Sequence, residues 1–201
     1  MGESKADAVF RQTERRLFRL TAGDDGAVRG KLADLRRGAG KKPGEDPRVW
    51  GILFSELPEE MYGKKGEPSR EEWAIHTALT LFAVHQQGND PKQHSMNQKG
   101  ISLGAAASRL VAADGGDDDA RERVARRFHQ VVLAPDISAR AYYLRSFIQL
   151  LRSNDIPLDY PMLARDLWLS QFPECETQVR LQWGQDFYRW HHDEEGKDEE
   201  S

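Results

Sequence analysis

What most constrains this chain is that apolar residues recur at helical spacing from segment to segment, while no stretch alternates convincingly as a strand. Phe10, Leu17, Phe18 and Thr21 share one helical face; Val28, Leu32 and Leu35 share the next, which Gly38 can close. Trp50, Leu53, Phe54 and Leu57 predict a short third helix begun by Pro47. Ser69 and Glu72 have capping-box spacing ahead of Trp73, His76, Leu79, Phe82 and Ala83, the strongest helix of the chain and the one expected at the centre of its core. Ser102 can cap a segment through Leu103 and Leu110, and Asp117 to Asp119 suit the positive end of a helix carrying Val124 and Phe128. Ser138, Asp159 and Thr177 are the starts expected for three more helices, through Leu144 and Phe147, Leu163 and Leu167, and Leu181 and Tyr188. The predicted fold is therefore all-α: a helical bundle of about eight or nine helices with negligible sheet, in one body or two packed halves.

Two connections are long, 58–68 and 88–100, and loops beyond roughly 12 residues are usually functional or disordered. The second, GNDPKQHSMNQKG, is where a body spanning 1–192 could divide, near residue 100. Residues 193–201, DEEGKDEES, hold six acids against Lys197 and are expected to be a disordered tail. No apolar run approaches the roughly 20 residues of a membrane span, and no basic start with an apolar follow-on marks a secretion signal. With Cys175 the single cysteine, an internal disulfide is impossible and a reducing cytoplasm is the expected home.

The net charge of -4 hides an uneven distribution. Residues 11–48 carry eleven Lys or Arg against six acids, and residues 120–152 seven Arg against two acids, so each block is +5 by subtraction. Within the second, RERVARRFHQ sets Arg121, Arg123, Arg126 and Arg127 around Val124 and Phe128, two apolar residues on one helical face. Two readings stand: a solvated outer face, or a track for a polyanion.

Catalytic patterns are missing. The chain has no GxxxxGK, no GxGxxG after a strand, no HExxH and no GxSxG. His76 and His85, nine apart, point to different helix faces, and His191 with His192 reads as polar surface. GGDDD could suggest magnesium and a nuclease, but successive Asp side chains diverge and a helix cap explains them more simply. No metal, no cofactor and no enzymatic activity are expected.

Three stretches in order, GISLGAAASRL (100–110), RRFHQVVLA (126–134) and AYYLRSFIQLLRSNDIPLDYPMLARDL (141–167), resemble the CasB family, the small subunit of the type I-E CRISPR surveillance complex Cascade. DLRRGAGKKP (34–43) and the segment from Leu79 to His85 are similar to it as well. The acidic tail lies outside that pattern. The resemblance implies a non-catalytic helical subunit that pairs with itself beside other Cascade subunits, along the guide RNA and the opened target DNA in antiviral defence.

Such a subunit needs cations aimed at phosphates, which carry no base identity. Arg36, Arg37, Lys41 and Lys42, at a helix end and glycine-bearing loop, are then the first candidates, with Arg123 and Arg126, which face away from Phe128. Arg127 is expected closer to the core or to Asp136. Lys99, Arg140 and Arg145 are second-rank, since Lys99 could be plain surface and Arg140 a salt bridge. The competing function is a helical adaptor that contacts proteins only, anchored by Tyr142, Tyr143 and Trp168.

Overall fold

The computed structural model describes residues 4–198, with side chains for 4–189. The His191–His192 pair and the acidic tail fall outside the residues described in full. Among the described residues nine α-helices follow one another: α1 (Lys5–Thr21), α2 (Asp25–Gly38), α3 (Trp50–Leu53), α4 (Arg70–His85), α5 (Leu103–Ala113), α6 (Asp118–Val132), α7 (Ile137–Ser153), α8 (Tyr160–Leu169) and α9 (Pro173–Asp198). Single 3-10 turns at Pro47–Val49 and Glu59–Met61 supplement them. Among the described residues the only β pairing is an isolated parallel bridge between Asn97 and Leu158, so the all-α expectation holds.

The centre is α4. Its capping box forms as its sequence requires: Ser69 Oγ accepts from the Glu72 amide at 2.9 Å, and Glu72 Oε2 accepts from the Ser69 amide at 2.7 Å. Nearly every α4 side chain is buried, because α1, α2, α7 and α8 pack around it. Such a helix has no solvated face and therefore little amphipathic character. Tyr160, the first residue of α8, meets Phe82 edge to face at 5.4 Å and His85 Nδ1 at 2.8 Å, which gives its buried hydroxyl a partner.

A second packing unit pairs α5 with α9. The run Gly104 to Ala107 leaves the first turn of α5 with almost no side-chain bulk, and α9 closes on it. A Cβ on Gly104 would fall 2.1 Å from the Trp183 carbonyl oxygen, so only glycine fits. The α6 face predicted from Val124 and Phe128 is the buried one, with the Phe128 ring 5.8 Å from Phe147 and 5.4 Å from Phe187.

Several local expectations need correction. Phe18 is 71 % exposed; α1 instead buries Val9, Thr13, Arg16, Leu17 and Leu20, a face rotated so that a polar Arg goes inside and an aromatic outside. The α7 cap is Asp136, whose Oδ1 accepts from the Ala139 amide at 2.8 Å, and Ser138 lies in the first turn. The last helix begins at Pro173, where the fixed φ of proline suits a first turn, and not at Thr177. Gly38 ends α2, while the left-handed residue beyond it is Gly40, at φ 84°.

Candidate nucleic-acid interface

The end of the first basic block and the α6 arginines of the second lie on either side of α7. That helix contains no acidic residue, and its buried positions Leu144, Phe147, Ile148 and Leu151 face the core. At about 100° per residue, Arg145 and Arg152, seven apart, share one flank, and Leu150 with Asn154 occupies the opposite one. Tyr142, Ser146, Gln149 and Ser153 form the outward crest between them.

On the first flank α7 meets the end of α2. Arg145 Nη1 donates to the Ala39 carbonyl at 3.1 Å, beside the turn at Gly40, and Arg152 Nη1 donates to Gln87 Oε1 at 2.9 Å. Arg36 feels both neighbours: partial burial, then the charges of Arg37 and Arg152, lower its pKa. The fold thus gathers Arg36, Arg37, Arg145 and Arg152, which lie in different parts of the sequence. Arg152 was no candidate in the sequence reading, although its seven-residue spacing from Arg145 is a signal that they share a face.

Lys41 and Lys42 continue this block but are engaged. Lys41 Nζ stands 3.2 Å from Asp46 Oδ2 and Lys42 Nζ 2.6 Å from Glu67 Oε2. The buried Asp46 carboxylate also takes two bonds from Arg48, at 2.8 and 2.6 Å. Those Arg48 bonds, with smaller help from Lys41, hold its pKa far below the usual carboxylate range. Arg37 pairs with Asp34 at 2.9 Å, and both side chains retain access to solvent.

On the second flank stands α6. Its Asp117 is a helix cap, accepting from the Ala120 amide at 2.7 Å, and Asp118 pairs with Arg121 at 3.2 Å. Arg123 reaches Asp114 at 3.0 Å and Arg126 reaches Glu122 at 3.1 Å, all four side chains exposed. Arg127 does not pair with Asp136, which is occupied as the α7 cap; it is exposed and makes no ion pair among the described residues. Arg123 and Arg127 line a shallow depression with Leu150 and Asn154 of α7, which fixes the side of α7 they occupy.

Two candidates part from these groups. Arg140 is only 1 % exposed, and its guanidinium donates to the Val131 and Ala134 carbonyls, Ser170 Oγ and Glu176 Oε1 at 3.2, 3.1, 2.7 and 2.9 Å. It joins the ends of α6 and α8 to α7 and α9, so its expected place on a surface track is withdrawn in favour of the salt bridge. Lys99 is exposed in the 88–100 loop, and among the described residues no hydrogen bond or ion pair joins it to either block. Of the aromatics proposed as anchors, Tyr142 is 68 % exposed on the α7 crest and meets Tyr143 at 5.4 Å, whereas Trp168 packs on Phe172 at 4.7 Å.

A surface of this kind offers guanidinium donors and an uncharged crest. Among the described residues no group of three or more His, Cys, Asp or Glu could hold a metal ion, and no helix is long and apolar enough to cross a membrane.

Comparison with known proteins gives the family. No curated protein matches. Three solved structures share the fold. CasB from Thermobifida fusca is 34% identical, with a TM-score of 0.72 over 90% of this chain and 97% of that one. A CRISPR-associated protein of the Cse2 family from Thermus thermophilus is 22% identical, with a TM-score of 0.62 over 92% and 99%. A chain of a CRISPR RNA-guided surveillance complex is 20% identical, with a TM-score of 0.69 over 94% and 98%. Residues 31–188 match the family described as CRISPR-associated protein Cse2, and with that span and the likeness to the Thermobifida fusca protein the chain belongs to the Cse2 family.

Proposed function

We propose that this chain is a non-catalytic subunit of a type I-E Cascade complex that holds nucleic-acid backbone without reading sequence, stabilising guide RNA, target DNA and the displaced strand of the R-loop. The single observation that carries the reading is the acid-free helix α7 between two arginine blocks, with Arg36, Arg37, Arg145 and Arg152 gathered on one flank and Arg123, Arg126 and Arg127 beyond the other. A like-charge group has a standing attraction for a polyanion, and arginine serves phosphate through several planar donors. Lys41 and Lys42 extend the positive surface at lower weight, while Lys99 adds a cation apart from it. Exchange of DNA duplex for heteroduplex is nearly balanced, so backbone contacts of this size can tip it. Family membership supports the Cascade setting, as does the fold shared with a chain of a surveillance complex. In that setting the chain works in the cytoplasm, beside other subunits and a second copy of itself.

The test is salt-titrated binding of labelled single and double strands of unrelated sequence. Replacing Arg36, Arg145 and Arg152 by Gln should weaken all of them alike and flatten the log–log salt slope by about 0.7 per lost contact for single strands or about 0.9 for duplex. Unchanged slopes would leave the adaptor reading, which the exposed Tyr142 and Leu133 side chains favour.

A further inference from the structure

A second cationic site lies on the opposite flank of α2 from Arg36. Lys31 and Arg36 are five residues apart, about 140° around the helix, and they line different hollows. The hollow on the Lys31 side has a volume of about 410 Å³ between α1, α2 and α3. Its wall carries four cations, of which Arg19 is paired with Glu56 and Arg48 with Asp46 while Arg16 and Lys31 have no carboxylate partner among the described residues, and one acid, Asp34. That acid is already paired with Arg37.

The decisive feature is Arg16, which is 4 % exposed. Nε donates to the Leu53 carbonyl at 3.1 Å, Nη1 to the carbonyl and side-chain oxygen of Gln12, and Nη2 to the Ser55 carbonyl at 3.0 Å. Four of its five N–H groups are thereby used, all on uncharged oxygens, and one Nη2 N–H remains. Among the described residues no carboxylate stands within ion-pair distance of Arg16. Glu56, the nearby acid, is held by Arg19 at 2.6 Å. Burial, with smaller contributions from Arg19 and Arg15, pushes the Arg16 guanidinium down to about 10, so it remains charged at neutral pH. A buried cation without a counter-ion is expensive unless something supplies the negative charge. Lys31, exposed at the rim, also makes no ion pair among the described residues.

We propose that this cleft between α1, α2 and α3 is an oxyanion site for a phosphate group, with Arg16 at its floor and Arg19, Lys31 and Arg48 around it. A tetrahedral phosphate directs oxygens several ways and suits donors converging from separate helices, whereas a planar carboxylate is satisfied by one bidentate arginine. The volume admits the attached sugar as well, so the phosphate can belong to a nucleic-acid strand or to a small soluble molecule. The site is independent of the α7 surface and does not rest on the reading of that surface.

The experiment is calorimetric titration of the full chain with inorganic phosphate in a chloride buffer, repeated with a single strand about 20 nucleotides long, comparable to a guide–target heteroduplex, on the parent, Lys31→Glu and Lys64→Gln, Lys64 being an exposed cation outside both this cleft and the α7 surface. Lys31 is exposed and makes no ion pair among the described residues, so Lys31→Glu should change stability little, which a thermal melt checks. Phosphate binding should weaken about tenfold or more in Lys31→Glu, the loss of one charge-assisted contact, and be unchanged in Lys64→Gln. If Lys31→Glu weakens the strand too, and phosphate competes with it, the occupant is backbone phosphate. If strand binding is unaffected, the occupant is a small soluble oxyanion. No phosphate binding by the parent, equal binding by Lys31→Glu, or an equal loss in Lys64→Gln would each overturn the site, the last because it would show diffuse charge alone.

Discussion

Among single residues, the same side-chain type does opposite work according to burial. Arg140 and Arg126 both sit in arginine-rich helical sequence, yet Arg140 is enclosed with four bonds and Arg126 stands in solvent beside Glu122. Arg140→Ala removes a buried guanidinium that serves the Val131 and Ala134 carbonyls and Ser170 Oγ, and although Glu176 keeps Arg180 it should cost roughly 1 to 3 kcal/mol in urea unfolding. Arg126→Ala should change stability by no more than about 0.5 kcal/mol, since exposed i,i+4 pairs contribute little. Equal costs in the two variants would contradict the burial difference. Sequence alone could not separate them, because Arg140 reads as a helix-surface cation until the ends of α6 and α8 are brought beside it.

For the helices, caps and small residues decide where the elements begin and how closely they approach. Asp136→Ala should lose about 1 kcal/mol through the α7 cap, and Ser138→Ala should lose almost nothing, which thermal melts of the two variants can compare. Gly104→Ala would normally favour a helix by up to about 1 kcal/mol, but here the added Cβ strikes the α9 backbone. Net destabilisation of about 1 to 3 kcal/mol is expected from that overpacking, and a melting point above the parent's would refute the α5–α9 approach. Most caps were legible because they are local: Ser69, Ser102, Asp117 and Asp159 each bond an amide within three residues. The rotation of α1 was not, since it depends on the Leu53 and Ser55 carbonyls waiting for Arg16 far along the chain.

For the whole molecule, buried titratable groups set the response to pH. Burial lowers His76 and His85 to about 4, below the ordinary 6.5 of histidine. Between those values the unfolded chain binds protons that the folded one refuses, so stability falls as pH drops. Asp166 acts the other way: burial, opposed by the Trp183 Nε1–H bond, raises it to about 6. It takes a proton in the folded chain first, so its charging penalty is relieved as pH falls through that value. From pH 7 to pH 5 the two histidines should cost about 4 kcal/mol and Asp166 return about 1, a net loss of about 3 kcal/mol. Urea midpoints at the two pH values measure this, and replacing both histidines by Gln should abolish or reverse the difference. A stability that rises toward pH 5 in the parent would mean the histidines are open to water.

The all-helical class, most element positions and the central place of α4 follow from the sequence by itself, because helical period and capping act over a few residues. The order of motifs also carried the CasB resemblance, in keeping with the Cse2 family to which the chain belongs. Tertiary structure alone decided which cations share a surface. It joined Arg145 and Arg152 to the end of α2, set α6 beyond the far flank of α7, and withdrew Arg140 into the core. Helical spacing tells which way a side chain leaves its own helix, while the charge or carbonyl that meets it comes from a helix packed many residues away.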